Sequence, residues 1–382
     1  MPFALLIVHI VTSLKSSSAS ALRRFFVGVG MVFVSMKQQS YSEARKKLNV
    51  WAFVRLMDES AAVMLENTSK TWHGYRVFAI DGSKMQLPTD KKLLAHYGGM
   101  GKNGKTPTAQ ASILYDVLND IVADAAIRPL ADDERTIAKA HIEACHARLP
   151  DGKKLVIFDR GYPSFGLMEM LETMGFKYVI RVRRAFNKEV DSQKKADGDV
   201  WLTQGGKRMR VRVIKFVLDS GEEEVLLTNI SDGRLGKKAF KNLYFMRWPI
   251  ETKYDMVKNK LQIENFSSRT VEGVQQDFYA TMLLANFVAA AAHDVIEDIQ
   301  EARKDKGNKY TYKANINEVI GILKDRLALA LLSDSRDEQA AIIEYILHEI
   351  KKHVVPVKLN RSTPRNKHPR RAKFCHNQKF NC

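Results

Sequence analysis

The sequence predicts a mixed α/β fold, in which a central sheet is flanked by helices and carries a β-rich insertion, with helical N- and C-terminal regions. Three observations support this. Short β-branched runs alternate with helical patterns in the middle of the chain, as in "YRVFAIDGSKMQLP", "KKLVIFDRGYP" and "KYVIRVRR". Residues 1–72 and about 312–352 repeat apolar side chains every three or four positions. Between about 185 and 233, strand-like runs follow one another with turns between them.

The individual elements follow in order along the chain. "TSLKSSSASALRRFF" and "SYSEARKKLNVWAFVRLMDESAAVML" predict N-terminal helices, and "YRVFAIDGSKMQLP" predicts a core strand that contains Asp81. "TAQASILYDV" and "DIVADAAIRPL" predict a hairpin that turns at residues 118–120. "ADDERTIAKAHIEACHARL" predicts a helix, and the buried strand after it ends at Asp159.

The elements after Asp159 are predicted in the same way. "SFGLMEMLETMG" has a serine for a helix cap and a glycine for its end. "KRMRVRVIKFVL" and "EEEVLLTNI" predict an antiparallel insertion. "KKAFKNLYFMRWPIETKYDMVKNKLQ" predicts a helix, and "VEGVQQDFYATMLLANFVAAAAHDVIEDI" predicts a long, largely buried one.

The charge of the chain points to a polyanionic partner. The 382 residues carry a formal net charge of +18, which favours nucleic acid, with an anionic membrane surface second. Residues 351–382 contain no acidic residue and three prolines, so this tail is predicted to be mobile until a phosphate backbone orders it.

The cysteines and the N-terminus bear on the compartment. Three cysteines in so long a chain predict a reducing compartment. Cys375, His376 and Cys382 fall short of the four ligands of a zinc site. The apolar run "MPFALLIVHIVTSL" lacks the basic start of a signal peptide and is shorter than a membrane span, so we expect a buried helix and a cytoplasmic protein without a membrane partner.

The stretch "GMGKNGKT", residues 99–106, matches the phosphate-loop pattern G-x-x-x-x-G-K-[ST]. A working loop of this kind joins a buried strand to a helix N-terminus, where backbone N–H groups hold phosphates. Here "PTDKKLLAHYGG" precedes it and Pro107 opens a hairpin strand after it. The sequence therefore predicts a basic loop near DNA and no ATP binding.

Three carboxylates stand at the ends of predicted elements: Asp81 in a core strand, Asp159 after "LVIF", and Glu251 after "WPI". Buried carboxylates are costly unless a cation or a metal offsets their desolvation. Two Mg²⁺ ions roughly 3.5 to 4 Å apart would need acids from separate elements and could serve phosphoryl transfer. The alternative is a turn at Asp81 and local ion pairs of the other two acids with Arg160 and Arg247.

The segment "YFMRWPIETKYDMVK" spaces Tyr244, Arg247, Glu251 and Lys258 at three, four and seven residues, which would place them on one helical face. Pro249 should kink this helix or begin a new one. Cations and a phenol beside an acid suit phosphate contacts. The alternative is an exposed helix with ordinary ion pairs.

These motifs together resemble the DDE transposases of bacterial insertion sequences, in the group that carries the Tyr-Arg-Glu-Lys signature. "AIDGSKMQLP", "LVIFDRGY" and Y-x-x-R-x-x-x-E-x-x-x-x-x-x-K carry the resemblance in the expected order. "YSEARKKLNVWAF", "TAQASILYDVLND" and the basic tail "LNRSTPRNKHPRR" extend it over most of the chain.

The resemblance implies that Asp81, Asp159 and Glu251 bind two Mg²⁺ or Mn²⁺ ions in a ribonuclease H-like domain. It implies that Tyr244, Arg247 and Lys258 contact phosphates of the transposon end and that Trp248 stacks on a displaced base; Arg160 is a further predicted DNA contact. The partners would be double-stranded DNA, as transposon end and as target, and a second copy of the chain.

The predicted domains are a helical DNA-binding domain (1–72), a catalytic domain (73–292) with its insertion at about 185–233, a helical C-terminal region (293–352) and a basic tail (353–382). The N-terminal region looks slightly shorter than in relatives, which would weaken recognition of specific DNA. Two alternatives share the fold or the ligand: a nuclease without strand transfer, and an inactive relic that only binds DNA. A glycosidase using Asp81 and Asp159 fits the +18 charge poorly.

Overall fold

The computed structural model of the chain describes residues 1–12, 18–218, 221–304, 307 and 309–358. Within these residues it is a mixed α/β protein, as predicted. Cys375, His376 and Cys382, whose spacing falls short of a zinc site, and all of the tail beyond residue 358 lie outside the described residues. The helices of the described chain are α1 Phe3–Thr12, α2 Ser18–Gly28, α3 Gln38–Lys46, α4 Val50–Glu66, α5 Lys91–Tyr97, α6 Glu134–Arg148, α7 Phe165–Thr173, α8 Lys188–Ser192, α9 Lys237–Phe245, α10 Pro249–Asp255, a π-helix Met256–Lys260, α11 Val271–Asp294, α12 Ile296–Glu301, α13 Ile316–Leu332 and α14 Arg336–Lys352.

The strands of the described chain are β1 Arg76–Gln86, β2 Gly99–Met100, β3 Thr106–Asp116, β4 Ile121–Pro129, β5 Lys154–Phe158, β6 Lys177–Val182, β7 Asp197–Gln204, β8 Lys207–Val217, β9 Glu223–Thr228, β10 Tyr312–Ala314 and β11 Val354–Pro356.

The chain divides into two compact units. The sheet unit comprises Ala61–Lys84 and Gln110–Asp255, and the helical unit comprises Met1–Ser60, Met85–Ala109 and Met256–Cys382. The division into four domains remains a prediction.

Within the sheet unit the strands lie in the order β3-β1-β5-β6-β9-β8-β7, and β4 pairs with β3. β1, β5 and β6 run parallel, whereas β7, β8 and β9 are antiparallel and β9 joins β6. The predicted antiparallel strands between 185 and 233 are therefore confirmed, and they continue the main sheet rather than forming a separate layer. The predicted hairpin is β3–β4, which turns at Asp120 with a positive φ of 60°.

Two apolar cores cover the two faces of this sheet. Alternate residues of each strand point to opposite faces: Phe78 and Ile80 belong to a core that contains residues of α6 and α7, whereas Val77 belongs to a core that contains residues of α9. The caps agree with the sequence: the Ser164 hydroxyl accepts from the Leu167 N–H at the start of α7, and Gly175 has a φ of +72° after its end.

In the helical unit, the "GMGKNGKT" segment is a hairpin. β2 pairs antiparallel with the start of β3, with Gly99 opposite Pro107, and a 3-10 turn connects them. No helix follows the motif, so the structural context of a phosphate loop is missing, as predicted.

The segment from 237 to 260 corrects one expectation. It is not one continuous helix, because α9 ends at Phe245, Pro249 begins α10, and a π-helix follows. Pro249 therefore begins a new helix, α10, which is the second of the two roles expected of it. Among the described helices, none is both long enough and apolar enough to span a membrane.

Candidate functional site

The first two predicted acids lie at matching positions on neighbouring parallel strands, Asp81 within β1 and Asp159 directly after β5. The last register pair of β1 and β5 joins Ala79 to Ile157, and Asp81 and Asp159 each lie two residues farther along. The pairing of β5 with β6 brings Ile157 opposite Val179, so Arg181 is the next member of the same row. Register alone therefore aligns Asp81, Asp159 and Arg181 across three central strands.

The parity of the strands decides which face this row occupies. Ile157 and Val179 belong to the core that α9 helps to form, and residues two positions farther along point to the same face. α9 contributes Phe240, Leu243 and Tyr244 to that core. The apolar face of α9 thus fixes Tyr244 beside the acidic row.

Asp159 is held by two side chains of this face. The Tyr244 hydroxyl donates to Asp159 Oδ1 at 3.3 Å, and Nη1 of Arg181 lies 3.8 Å from the same oxygen. The Arg160 N–H donates to Asp159 Oδ1 at 2.7 Å. Burial, and then the charge of Asp159, raise the pKa of Tyr244 to about 12, so its hydroxyl keeps its proton and remains a donor at neutral pH.

Arg181 is a site residue that the sequence analysis did not identify. Its Nε pairs with Glu224, a residue of β9 that is only 4% exposed, and Nη2 lies 3.4 Å from Glu222 Oε1. The buried glutamate fixes the direction of the guanidinium toward Asp159. The motif "KYVIRVRR" carries three arginines, and only the strand register distinguishes Arg181 from the other two.

Arg247 connects the first and third acids. Its Nη2 donates to Glu251 Oε1 at 2.8 Å, and its Nη1 lies 3.7 Å from Asp81 Oδ2. The guanidinium is buried, with 9% of its side chain exposed. Arg247 lies in the turn between α9 and α10. Pro249 starts α10, and Glu251 follows in the first turn of that helix, four residues after Arg247.

The Asp81 carboxyl is electrostatically perturbed. Its pKa is raised to about 6: burial is the largest cause, the charges of Asp159 and Glu251 add to it, and Arg247 and the Gly82 N–H act in the opposite direction. Because the charges of Asp159 and Glu251 both raise the pKa of Asp81, the three acids lie close enough to repel one another. The structure thus brings Asp81, Asp159, Glu251, Tyr244 and Arg247 together within the sheet unit.

The other predicted contacts are placed differently. Trp248 is 55% exposed in the turn beside Arg247, and Arg160 is exposed after β5. Lys258 belongs to the π-helix of the helical unit, where its Nζ lies 4.0 Å from Glu264 Oε1. Glu251 and Lys258 fall in different units of the chain, and the phosphate contact of Lys258 stays a prediction.

The donor chemistry of the three acids fits a hard cation such as Mg²⁺, since each is an oxygen ligand with a quarter to a third of its side chain exposed. Within the described part of the chain, no group of three or more His, Cys, Asp or Glu side chains is arranged to hold one ion. The guanidinium of Arg247 contacts both Asp81 and Glu251. Mg²⁺ commonly uses only one or two protein carboxylates together with substrate phosphates, and the carboxylate oxygens present are donors of the type that such an ion takes.

Comparison with known proteins shows that the site lies in a transposase domain. The chain belongs to the family described as "Transposase DDE domain", which matches residues 72–287. It is 27% identical over 108 residues to "Putative transposase InsZ" of Escherichia coli (strain K12), a match that covers 27% of this chain. The chain spans about a third (34%) of that relative's length.

A solved structure is also similar to the chain. It is a cryo-EM structure of the piggyBac transposase synaptic complex with hairpin DNA, and it matches with a TM-score of 0.48 and 12% identity. That alignment covers 94% of this chain and 77% of the other.

Proposed function

We propose that this chain is a cut-and-paste DNA transposase of the group with the Tyr-Arg-Glu-Lys signature, built on a ribonuclease H-like sheet. It would cleave DNA at the ends of an insertion sequence and join the freed ends to target DNA in the bacterial cytoplasm, without ATP. The observation that carries the proposal is the row of Asp81 and Asp159 on adjacent parallel strands, with Glu251 tied to the same place through Arg247.

In this proposal Asp81, Asp159 and Glu251 would hold two Mg²⁺ or Mn²⁺ ions. When bound, such ions supply positive charge that stabilises the phosphorus centre during in-line displacement. The rest of the site belongs to the chain itself. Arg181 and Arg247 keep two guanidinium groups at the acids, where a DNA phosphate can exchange for a carboxylate partner, since both are oxyanions that a planar guanidinium binds in the same way.

The Tyr244 hydroxyl supports the same role. Its raised pKa keeps it protonated, so it can donate either to Asp159 or to a phosphate oxygen. Trp248 offers an exposed indole next to Arg247, which suits stacking on an unpaired base. Arg160 and Lys258 would add phosphate contacts, and a dimer would cut the two ends together.

The test is a strand-transfer assay on a duplex that carries the terminal repeat flanking the gene. The wild-type chain with Mg²⁺ should give nicked and then joined products. Asp159→Asn should give neither, whereas Asp132→Asn, which removes an exposed acid in the loop before α6, should behave as wild type.

Other results would favour the alternatives. Nicking without joined products would favour a nuclease of the same fold. Salt-sensitive binding to the duplex without any metal-dependent nicking would favour a DNA-binding relic.

A further inference from the structure

The backbone next to Asp81 is in contact with a polar pair of side chains. A Cβ added at Gly82 would lie 2.5 Å from Gln110 Nε2 and 3.2 Å from Glu134 Oε1. Gly82 is not among the glycines with a positive φ. A side chain at position 82 would therefore require the Gln110 amide to move, whereas the backbone conformation places no demand for glycine.

The side chains beside Gly82 are a hydrogen-bonded pair, Gln110 and Glu134. Gln110 is buried on β3, and its Nε2 donates to Glu134 Oε1 at 3.0 Å. Glu134 is the first residue of α6, where the free N–H groups of the helix favour a negative charge. Glu134 Oε1 therefore lies beside Gly82, the residue that follows Asp81 in β1, and is held there by the Gln110 amide.

A third group converges on the same place. The Tyr162 side chain is 2% exposed, and its hydroxyl has no hydrogen-bond partner within the described residues. Burial raises the pKa of this hydroxyl, and the charges of Asp81, Glu134 and Asp159 raise it further. Tyr162 follows Asp159 in the turn after β5, and its N–H donates to the Asp159 carbonyl at 3.2 Å. A buried hydroxyl without a partner, near three acids, can accept a hydrogen bond from a water ligand of a cation that the acids attract.

We propose that Glu134 is a fourth carboxylate of the site, which binds the water shell of a divalent cation on the Asp81 side, with Gln110 and Tyr162 as positioning residues. This rests on the proposed function, because it assumes that Asp81 holds such a cation. Mg²⁺ releases its water reluctantly and keeps several water ligands in protein sites. Carboxylates and hydroxyls around the direct ligands bind those waters and orient them.

The test is a calorimetric titration of the full chain with Mn²⁺, which needs no DNA and no catalysis. Glu134→Gln keeps the shape of the side chain and should weaken Mn²⁺ binding about tenfold, in the range found for groups that orient metal ligands. The matched control is Glu143→Gln, an exposed glutamate on the same helix, which should leave the affinity unchanged.

Tyr162→Phe separates positioning from a purely structural role. The hydroxyl has no partner in the described structure, so its removal should leave the urea midpoint equal or higher while Mn²⁺ binding weakens about threefold, the effect of one hydrogen bond. A loss of stability with unchanged Mn²⁺ affinity would instead assign Tyr162 to the fold.

The Mn²⁺ titration distinguishes failure of the fourth carboxylate from failure of the proposed function. If the wild-type chain binds Mn²⁺ and Glu134→Gln binds it equally well, the fourth carboxylate is refuted and the proposed function stands. If the wild-type chain binds no Mn²⁺, with or without DNA, both fall together.

Discussion

The charge of Asp81 should destabilise the folded chain at neutral pH, and Asp81→Asn should therefore stabilise it. The pKa of Asp81 in the folded state is about 6, against 3.8 for an exposed aspartate. A folded pKa above the unfolded one means that the folded state binds the proton more tightly. Stability is then greatest below the unfolded pKa and is lost as the pH rises from about 4 to about 6.

The size of the effect follows from the shift. About two pKa units correspond to about 3 kcal/mol of unfolding free energy. This is an upper value, because 27% of the side chain is exposed and Arg247 loses one of its two carboxylate partners in the variant. Asparagine has no charge to desolvate, so the variant should be more stable than the wild type by up to that amount at pH 7.5.

The assay is urea unfolding of both chains at pH 7.5 and at pH 3.5. The difference in unfolding free energy should be large at the higher pH and should nearly vanish at the lower one, where Asp81 is neutral in the folded state and mostly neutral in the unfolded state. Asp132→Asn, at an exposed position, should show no such difference. An Asp81→Asn chain that is less stable at pH 7.5, or a difference independent of pH, would refute the electrostatic argument.

Three further predictions follow from the same structure. Because a metal ligand must be deprotonated, Mn²⁺ affinity measured by calorimetry should fall between pH 7 and pH 5, and Asp81→Asn should flatten this dependence; an unchanged affinity at pH 5 would contradict the assignment of Asp81. Ile157→Ala removes a fully buried side chain beside the acidic row and should cost about 2–5 kcal/mol in urea unfolding, whereas a cost below about 0.5 kcal/mol, the scale of surface changes, would contradict the packing. Gly99→Ala would place a Cβ 2.1 Å from the Gly104 carbonyl oxygen, so it should lower the melting temperature, while Gly152→Ala, with its nearest neighbour at 3.9 Å, should not.

The sequence predicts the sheet well because its elements are defined by local signals. "YRVFAID" and "KLVIFD" are apolar runs that each carry an aspartate at their last position, and such runs form buried strands where they pair. The acids at their ends could be predicted for the same reason, since parallel strands bring matching ends together. The hairpin of β3 and β4 was equally local, with its turn at residues 118–120.

The rest of the site depends on strand register and on packing between distant segments, which cannot be predicted from any single segment. Arg181 becomes a site residue because β6 pairs with β5 in one register, and Glu224 fixes it from a strand more than 40 residues later. The approach of Glu134 to Gly82 likewise needs α6 and β3 to be in place. The break of the predicted helix at Pro249 could be foreseen as a kink, but the π-helix after Asp255 had no signal in the residue pattern.

The central claim is that the three acids form one catalytic site, and nicking of the terminal-repeat duplex tests it most directly. The reaction is run with Mg²⁺, with EDTA and with Glu251→Gln, and Glu189→Gln on α8 serves as an exposed control in the same unit. We expect nicking at the end of the repeat with Mg²⁺ for the wild type and the control, and none with EDTA or with Glu251→Gln. Equal nicking by Glu251→Gln, or nicking that persists in EDTA, would contradict the account.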